Sequence, residues 1–171
     1  TPRIPIRIHI WKCRPWIPHE HMKKPEVTIY TDGACSPNPG KGGWAALLIS
    51  REKKLRRELS GSERDSTNNR MELTAVLMGI RALKRPTHVR IITDSQYVKQ
   101  AFTEGWLENW QHNGWRTAAK KPVKNDDLWR ELLLAFEPHI VEWEWVRGHA
   151  GNEENNRCDE LAVEARLALD P

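Results

Sequence analysis

Residues 27–36 have the sequence Val-Thr-Ile-Tyr-Thr-Asp-Gly-Ala-Cys-Ser. The first five residues are apolar or β-branched and predict a strand, which we expect to stop at Asp32 because a turn rich in glycine and proline follows at once. A carboxylate at the end of a strand lies at a sheet edge, where ligands tend to bind. We therefore predict that Asp32 forms one side of a metal site, which Glu72, Asp94 and Asp159 complete.

The length and the charge of the chain set limits on its architecture. The 171 residues predict one domain of ordinary size. The net charge is +4, but residues 1–25 hold six basic residues against one acidic residue, which leaves −1 for residues 26–171. A basic composition is thus weak evidence that the folded part binds nucleic acid, and the evidence has to come from local clusters.

The N-terminal residues differ from the rest of the chain. We expect residues 1–21 to form a basic arm rich in proline and isoleucine, separate from a folded domain at 22–171. Alternating isoleucines favour an added edge strand, whereas disorder, or translation from upstream of a natural start at Met22, accounts for the same pattern. The sequence contains no apolar run of the ~20 residues that a membrane span needs and no signal-peptide core.

The three cysteines are odd in number and lack the spacing of a metal site. Free thiols in a reducing compartment are therefore favoured over a disulfide. We expect a soluble, cytoplasmic protein that has no contact with a membrane.

The first half of the domain predicts a sheet that opens antiparallel and then turns parallel. Residues 42–50 and 55–61 flank a charged bend and predict a hairpin. A helical pattern follows Ser66 and Thr67, and the short apolar strand 89–93 runs directly into Asp94. A right-handed strand, helix, strand crossover sets the second strand parallel to the first, so their carboxylates emerge at the same edge.

The second half predicts helices at 95–103 and 125–136, a half-exposed strand at 140–146, a loop at 148–156 and a last helix beyond it. Between the first two helices lies the basic tract, residues 111–124. It holds four cations and no acid. Such a run is ordinarily a solvated surface, but Trp106, Trp110 and Trp115 interleave with it or precede it, and we expect a nucleic-acid contact in which these rings pack the tract together or stack on bases. The cations are Arg116, Lys120, Lys121 and Lys124.

The four acids suit one metal centre. We expect Glu72 in the first turns of its helix, and Asp159 in the first turn of the last helix, where the helix N-terminus favours an anion. Crowded carboxylates repel each other, and hard divalent cations such as Mg²⁺ relieve that repulsion. Taken singly, each acid also has an ordinary explanation as a turn former, a helix cap or a solvated helix residue.

Four linked motifs identify a family that the chain resembles. They are TDGACSPNPG, TNNRMEL, TDSQYV, and GHAGN followed by NRCDELA. In this order, over residues 22–169, they resemble the type 1 ribonucleases H of bacteria. The resemblance implies an α/β, ribonuclease H-like fold, a five-stranded mixed sheet flanked by helices, with residues 22–171 as the catalytic domain. It also implies a monomer that cleaves the RNA strand of RNA/DNA hybrids with two Mg²⁺ ions, which Mn²⁺ can replace, leaving 5′-phosphate and 3′-hydroxyl ends.

The resemblance also implies roles for individual residues. Asp32, Glu72, Asp94 and Asp159 match the metal ligands, and His149 matches a loop histidine that handles protons or assists product release; otherwise it is an ordinary exposed loop residue. The implied substrate-binding residues are Gly33, Cys35, Asn38, Thr67, Asn68, Asn69, Gln96, Trp106, Trp110, Trp115, Arg116, Lys120 and Lys121. Asn68 and Asn69 have a competing use as helix caps.

Two other functions share parts of this pattern. A catalytically silent module would bind hybrids without cutting them, although the presence of all four acids argues against it. Transposases and retroviral integrases cut DNA on the same kind of sheet, but they resemble this chain less, because their acids are usually ordered Asp, Asp, Glu and they carry extra DNA-binding domains.

Overall fold

A five-stranded mixed sheet with helices on both faces forms the protein. The computed structural model describes residues 24–147 and 151–169, so the predicted arm at 1–21 lies outside the described residues. The strands are β1 (Val27–Cys35), β2 (Gly40–Ser50), β3 (Leu55–Ser66), β4 (His88–Thr93) and β5 (Ile140–Trp145); the helices are α1 (Asn68–Arg81), α2 (Gln96–Thr103), α3 (Trp106–His112), α4 (Asp126–Phe136) and α5 (Glu153–Leu167). The strand order is β3-β2-β1-β4-β5, and the predicted fold class is confirmed.

The central strand, β1, is longer than predicted. It pairs parallel with β4 only as far as Tyr30, but it stays antiparallel to β2 through Asp32 and on to Cys35. The prediction that the strand stops at Asp32 is therefore wrong, since the glycine that follows is accommodated within the ladder. Asp32 still lies just beyond the parallel pairing, at the same end of the sheet as Asp94, which follows β4 directly.

Two further differences concern helices. α5 begins at Glu153, with Asn152 as its N-cap, so Asp159 is in the second turn and not in the first turn as predicted. Part of the predicted loop at 148–156 is therefore helical. The sequence pattern also missed α3, which follows Gly105 at a φ of 71°, a left-handed conformation that glycine adopts without steric cost.

Helices on opposite faces bury the two sides of the sheet. Ile29 of β1 belongs to the larger core, beneath α1, α2 and α4, whereas its neighbour Tyr30 belongs to a smaller core with Cys158 and Ala162 of α5. This alternation follows from the two-residue period of a strand. Within the described residues, no helix is long and apolar enough to cross a membrane.

A glycine in β2 sets how closely α5 can dock. A Cβ atom on Gly43 would clash with the backbone oxygen of Ala162 and would lie 2.8 Å from the backbone nitrogen of Arg166. Both atoms belong to helix backbone, so a flexible side chain cannot move aside to make room. The position of α5, and of the Asp159 that it carries, thus depends on this close approach.

We predict that Gly43→Ala lowers the free energy of unfolding by about 3 kcal/mol, near the upper end of overpacking costs, because two backbone atoms must shift. Urea unfolding followed by circular dichroism measures this. The control is Ser62→Ala on β3, which lies opposite Gly43 and is exposed, and it should change stability by less than about 0.5 kcal/mol. Equal stability of the two variants would contradict the role given to Gly43.

Candidate active site

Three carboxylates from distant parts of the chain meet at one end of the sheet. Asp32 comes from β1, Glu72 from α1 and Asp94 from the residue after β4, and each offers one oxygen within 4.8 Å of the other two. Asp32 is only 6% exposed. The cluster lies in a cleft of about 380 Å³. The cleft is lined by Asp32, Gly33, Asn68, Asn69, Glu72, Asp94, Ser95, Gln96, Tyr97, Asn155, Asn156 and Asp159.

Local hydrogen bonds fix the elements that carry these acids. The backbone N–H of Gly33 donates to Asp32 Oδ1 at 2.8 Å. The hydroxyl of Thr67 accepts from the N–H of Arg70 at 3.1 Å and caps α1, so the alternative that Asn68 or Asn69 caps this helix is wrong. These contacts hold the first turns of α1, and with them Glu72, next to β1.

Ser95 fixes the start of α2 directly after Asp94. Its hydroxyl accepts from the N–H of Val98 at 3.2 Å, and its own N–H donates to the side chain of Thr93 at 3.1 Å. Asp94 is therefore held between the end of a strand and the cap of a helix.

Burial and mutual repulsion shift the titration of the cluster. Burial, followed by the charge of Asp94, raises the pKa of Asp32 to about 7. Burial is also the main cause that raises the pKa of Glu72 well above its ordinary value, and the charge of Asp32 adds to it. Glu72 Oε2 is shut off from solvent and has no hydrogen-bond partner in the described part of the chain.

These observations fit a hard divalent cation. Carboxylate oxygens are the ligands that such ions prefer, and a bound cation would supply both the missing partner of Glu72 and the opposite charge that the cluster needs. Asp159 lines the same cleft, and its charge raises the pKa of Asp32, but it stands outside the group of three within 4.8 Å.

The predicted substrate-binding residues near the acids fall into two groups. Gly33, Asn68, Asn69 and Gln96 line the cleft itself. The second group does not line the cleft but is bonded to Asn68. Asn68 Oδ1 accepts from the N–H of Cys35 at 2.7 Å, and the N–H of Asn68 donates to Asn38 Oδ1 at 3.2 Å. This network ties the turn after β1 to the start of α1, whose cap is Thr67.

The cysteine in this network is turned inward. Cys35 is 8% exposed, and its thiol lies 3.3 Å from the carbonyl oxygen of Pro37. Cys35 is therefore connected to the cleft through its backbone N–H, which is bonded to Asn68, and not through its thiol.

The basic tract lies apart from the cleft, between α3 and α4. Arg116 donates to the carbonyl oxygen of Lys120 at 3.0 Å, and the N–H of Thr117 donates to that of Lys121 at 2.7 Å, which closes a compact turn. The side chains of Arg116, Lys120 and Lys121 belong to exposed residues.

Tryptophans connect this turn to the core. The ring of Trp110 lies 5.9 Å from Trp106, 6.1 Å from Trp115 and 6.0 Å from the fully buried Trp129, measured between ring centroids. The guanidinium of Arg130 lies 5.3 Å from the centroid of Trp115. In this arrangement the three predicted rings pack against one another, and the cations remain available to a partner.

Four residues that line the cleft were not predicted: Ser95, Tyr97, Asn155 and Asn156. The first two belong to the TDSQYV motif, and the other two lie one helical turn or less before Asp159, so each had a signal in its closeness to a predicted acid. His149 lies outside the described residues, and its predicted role stays a prediction.

Comparisons with known proteins identify the family of this chain. Residues 24–166 match the family model for RNase H. A ribonuclease H of Moorella thermoacetica is 58% identical over 144 residues, which are 84% of this chain and 93% of that protein. A ribonuclease H of Hydrogenovibrio crunogenus is 58% identical over 140 residues, which are 82% of this chain and 94% of that protein.

Solved structures show the same fold. The crystal structure of LC9-RNase H1, a type 1 RNase H with the type 2 active-site motif, is 34% identical with a TM-score of 0.74, over 85% of this chain and 74% of that chain. The family match and the identity to curated relatives span most of the sequence and include the positions of all three clustered acids. The chain therefore belongs to the ribonuclease H family.

Proposed function

We propose that this enzyme cuts the RNA strand of RNA/DNA hybrids at the cluster of Asp32, Glu72 and Asp94, with Mg²⁺ as its metal and Asp159 as a fourth ligand. One observation carries the proposal: three carboxylate oxygens lie within 4.8 Å of one another in a polar cleft. The Oε2 atom of Glu72, which has no hydrogen-bond partner within the described residues, gives the proposal independent support. A buried oxygen without a partner destabilises the fold unless a ligand binds to it.

The chemistry divides between the ions and the protein. Asp32, Glu72 and Asp94 would hold a pair of divalent ions, which would supply activation of the attacking water and stabilisation of the leaving 3′-oxygen of the phosphodiester. Asp32 and Glu72 must be ionised to bind a cation, and because burial raises both pKa values in its absence, cation binding releases protons from these groups. Their fixed placement on β1 and α1 means that little reorganisation is needed when substrate arrives.

Selection of a hybrid requires contacts to both strands. We propose that Gly33, Asn68, Asn69 and Gln96 face the minor groove, where amide groups can bond 2′-hydroxyls on the RNA strand. Asn38, Thr67 and the backbone of Cys35 would support this surface through the network around Asn68.

The basic tract would grip the DNA strand. Arg116, Lys120 and Lys121 provide exposed cations on a turn that is anchored by packed tryptophans. Contacts of this kind supply affinity with little dependence on base sequence.

Three further assignments complete the proposal. We assign residues 22–171 to the catalytic domain and residues 1–21 to a separate arm, and we assign proton handling or product release to His149. We also propose a cytoplasmic monomer. The buried free thiols of Cys35 and Cys158 support a reducing compartment.

Asp32→Asn should abolish cleavage. The substitution keeps the shape of the side chain but removes an anionic ligand, and we expect a fall in kcat/KM of more than about 100-fold, the upper range for residues that only support a ligand. Mg²⁺-dependent cleavage of a labelled hybrid measures this, with duplex RNA and duplex DNA as control substrates.

Two outcomes would contradict the assignment of the site. A variant that cuts as fast as the parent protein would show that the acids are not the metal ligands. A parent protein that binds the hybrid but does not cut it would favour a silent binding module instead.

The metal-free protein should lose stability as the pH rises. Asp32 titrates near 7 in the native state and near 4 in the unfolded chain, so between these values the native state binds more protons than the unfolded state. We expect the free energy of unfolding in EDTA to fall by about 3 kcal/mol from pH 4.5 to pH 8. Asp32→Asn, which cannot ionise, should show a clearly weaker fall, and matching pH profiles in urea unfolding would rule out the proposed cause.

Lys120→Ala together with Lys121→Ala should raise KM for the hybrid and flatten its salt dependence. Each phosphate contact contributes about 0.9 to the slope of log K against log salt, so loss of both lowers the slope by up to about 1.8. The matched control is Lys53→Ala with Lys54→Ala, which removes the same charge from the exposed turn between β2 and β3. If both double variants have the parent slope, the basic tract does not hold the substrate.

A further inference from the structure

Asp94 differs from the other two members of the acid cluster in the element that carries it. Asp32 lies within β1, where it pairs with Ala45, and Glu72 lies within α1. Asp94 belongs to neither a strand nor a helix, because β4 ends at Thr93 and α2 begins at Gln96. The sheet ladder therefore stops one residue before Asp94, and a contact beyond the ladder and the Ser95 cap adds to the support of its peptide.

A tryptophan of the neighbouring edge strand supplies that contact. The indole Nε1–H of Trp145 donates to the backbone carbonyl oxygen of Asp94 at 3.1 Å. Trp145 is the last residue of β5 and pairs with Thr93, and the N–H of Val146 donates to the carbonyl oxygen of Thr93 at 2.9 Å. The indole bond thus continues the pairing of β4 with β5 by one residue, through a side chain instead of the backbone.

The ring of Trp145 is itself held in place. The ammonium of Lys99 lies 4.1 Å from the ring centroid, a distance at which a cation is attracted to the face of an indole. Lys99 is on α2, and its N–H donates to the carbonyl oxygen of Ser95 at 3.1 Å, in the first turn after Asp94. Trp145 therefore makes two contacts in this region, one with the backbone carbonyl of Asp94 and one with Lys99 of the helix that follows it.

We propose that Trp145 is a positioning residue for Asp94, and that its indole N–H sets the orientation of this carboxylate toward the metal. Lys99 assists by fixing the ring. The proposal rests on the proposed metal site, and it adds that the affinity of this site for metal depends on the edge strand β5. Loss of a hydrogen-bond partner of the ligating group itself typically changes metal affinity 10- to 100-fold, and because the indole bonds the backbone of Asp94 we expect a change at the lower end of that range.

Trp145→Phe tests the proposal, because phenylalanine keeps an aromatic ring beneath Lys99 but cannot donate the hydrogen bond. Calorimetric titration of the full chain with Mn²⁺ alone, without nucleic acid, should give a dissociation constant raised about tenfold. Affinity for a hybrid in EDTA should stay within twofold of the parent value. Lys99→Met, which keeps the bond, should weaken Mn²⁺ binding by only about two- to fivefold.

The matched control is Trp143→Phe on the same strand. Trp143 is 6% exposed, and its Nε1 makes no hydrogen bond within the described part of the chain. This variant should lose at least as much thermal stability as Trp145→Phe, yet it should bind Mn²⁺ like the parent protein. If both variants lost Mn²⁺ affinity in proportion to their loss of thermal stability, the proposal would be overturned.

A spectroscopic measurement gives a second, independent test. The indole N–H resonance of Trp145, assigned by its loss in Trp145→Phe, should shift when Mg²⁺ is added, whereas that of Trp143, whose Nε1 makes no hydrogen bond among the described residues, should shift much less. An unchanged Trp145 signal and an unchanged Mn²⁺ affinity in the variant would reject the positioning role alone. If the parent protein itself bound no metal and cut no hybrid, the proposed function would fail as well.

Discussion

The close approach of α1 to β1 at Gly33 is the constraint on which the site depends. A Cβ atom at this position would lie 2.5 Å from the backbone nitrogen of Glu72 and 2.6 Å from the carbonyl carbon of Met71. Only a residue without a side chain lets the helix backbone come this near to the strand. The contact brings Glu72 beside Asp32 and excludes water from both, which is why burial is the first cause of their raised pKa values.

The fold must then hold several carboxylates close together although their negative charges repel one another. Exposed ion pairs tie the elements that carry the acids: Arg70 of α1 makes two bonds to Asp127 at 2.7 and 3.1 Å, and Arg157 of α5 makes two to Glu58 of β3 at 3.1 and 3.2 Å. Pairs of this kind add little to stability in water, but their fork geometry fixes orientation. They thus reinforce the placement of α1 and α5 that the close approaches at Gly33 and Gly43 allow, while the buried cores supply the stability.

Sequence patterns predicted the elements better than their ends. The strand, helix, strand crossover and the meeting of Asp32, Glu72 and Asp94 followed from alternation, helical spacing and motif order. The continuation of β1 beyond Asp32 depends on its partner β2, because a glycine that looks like a turn along the chain is held by cross-strand bonds. The early start of α5 at Glu153 comes from a polar cap at Asn152, which carries no apolar pattern. Likewise, the bond of Trp145 to Asp94 joins residues 51 positions apart, and no local signal reveals it.

The separation of the basic tract from the cleft has an energetic consequence. The acids and amides of the cleft carry no surplus of cations, so they contribute geometry and discrimination but little attraction for a polyanion. In the proposed function the tract would supply that attraction from a turn of its own, and its tryptophans anchor it to the buried Trp129 of α4. Because α4 shares the larger core with α1 and is also bonded to it through Arg70 and Asp127, the helix that bears Glu72 and the helix that supports the tract are joined directly. Under the proposed function, a duplex bound at the tract would therefore reach the acids across two connected helices, although the two surfaces share no residue.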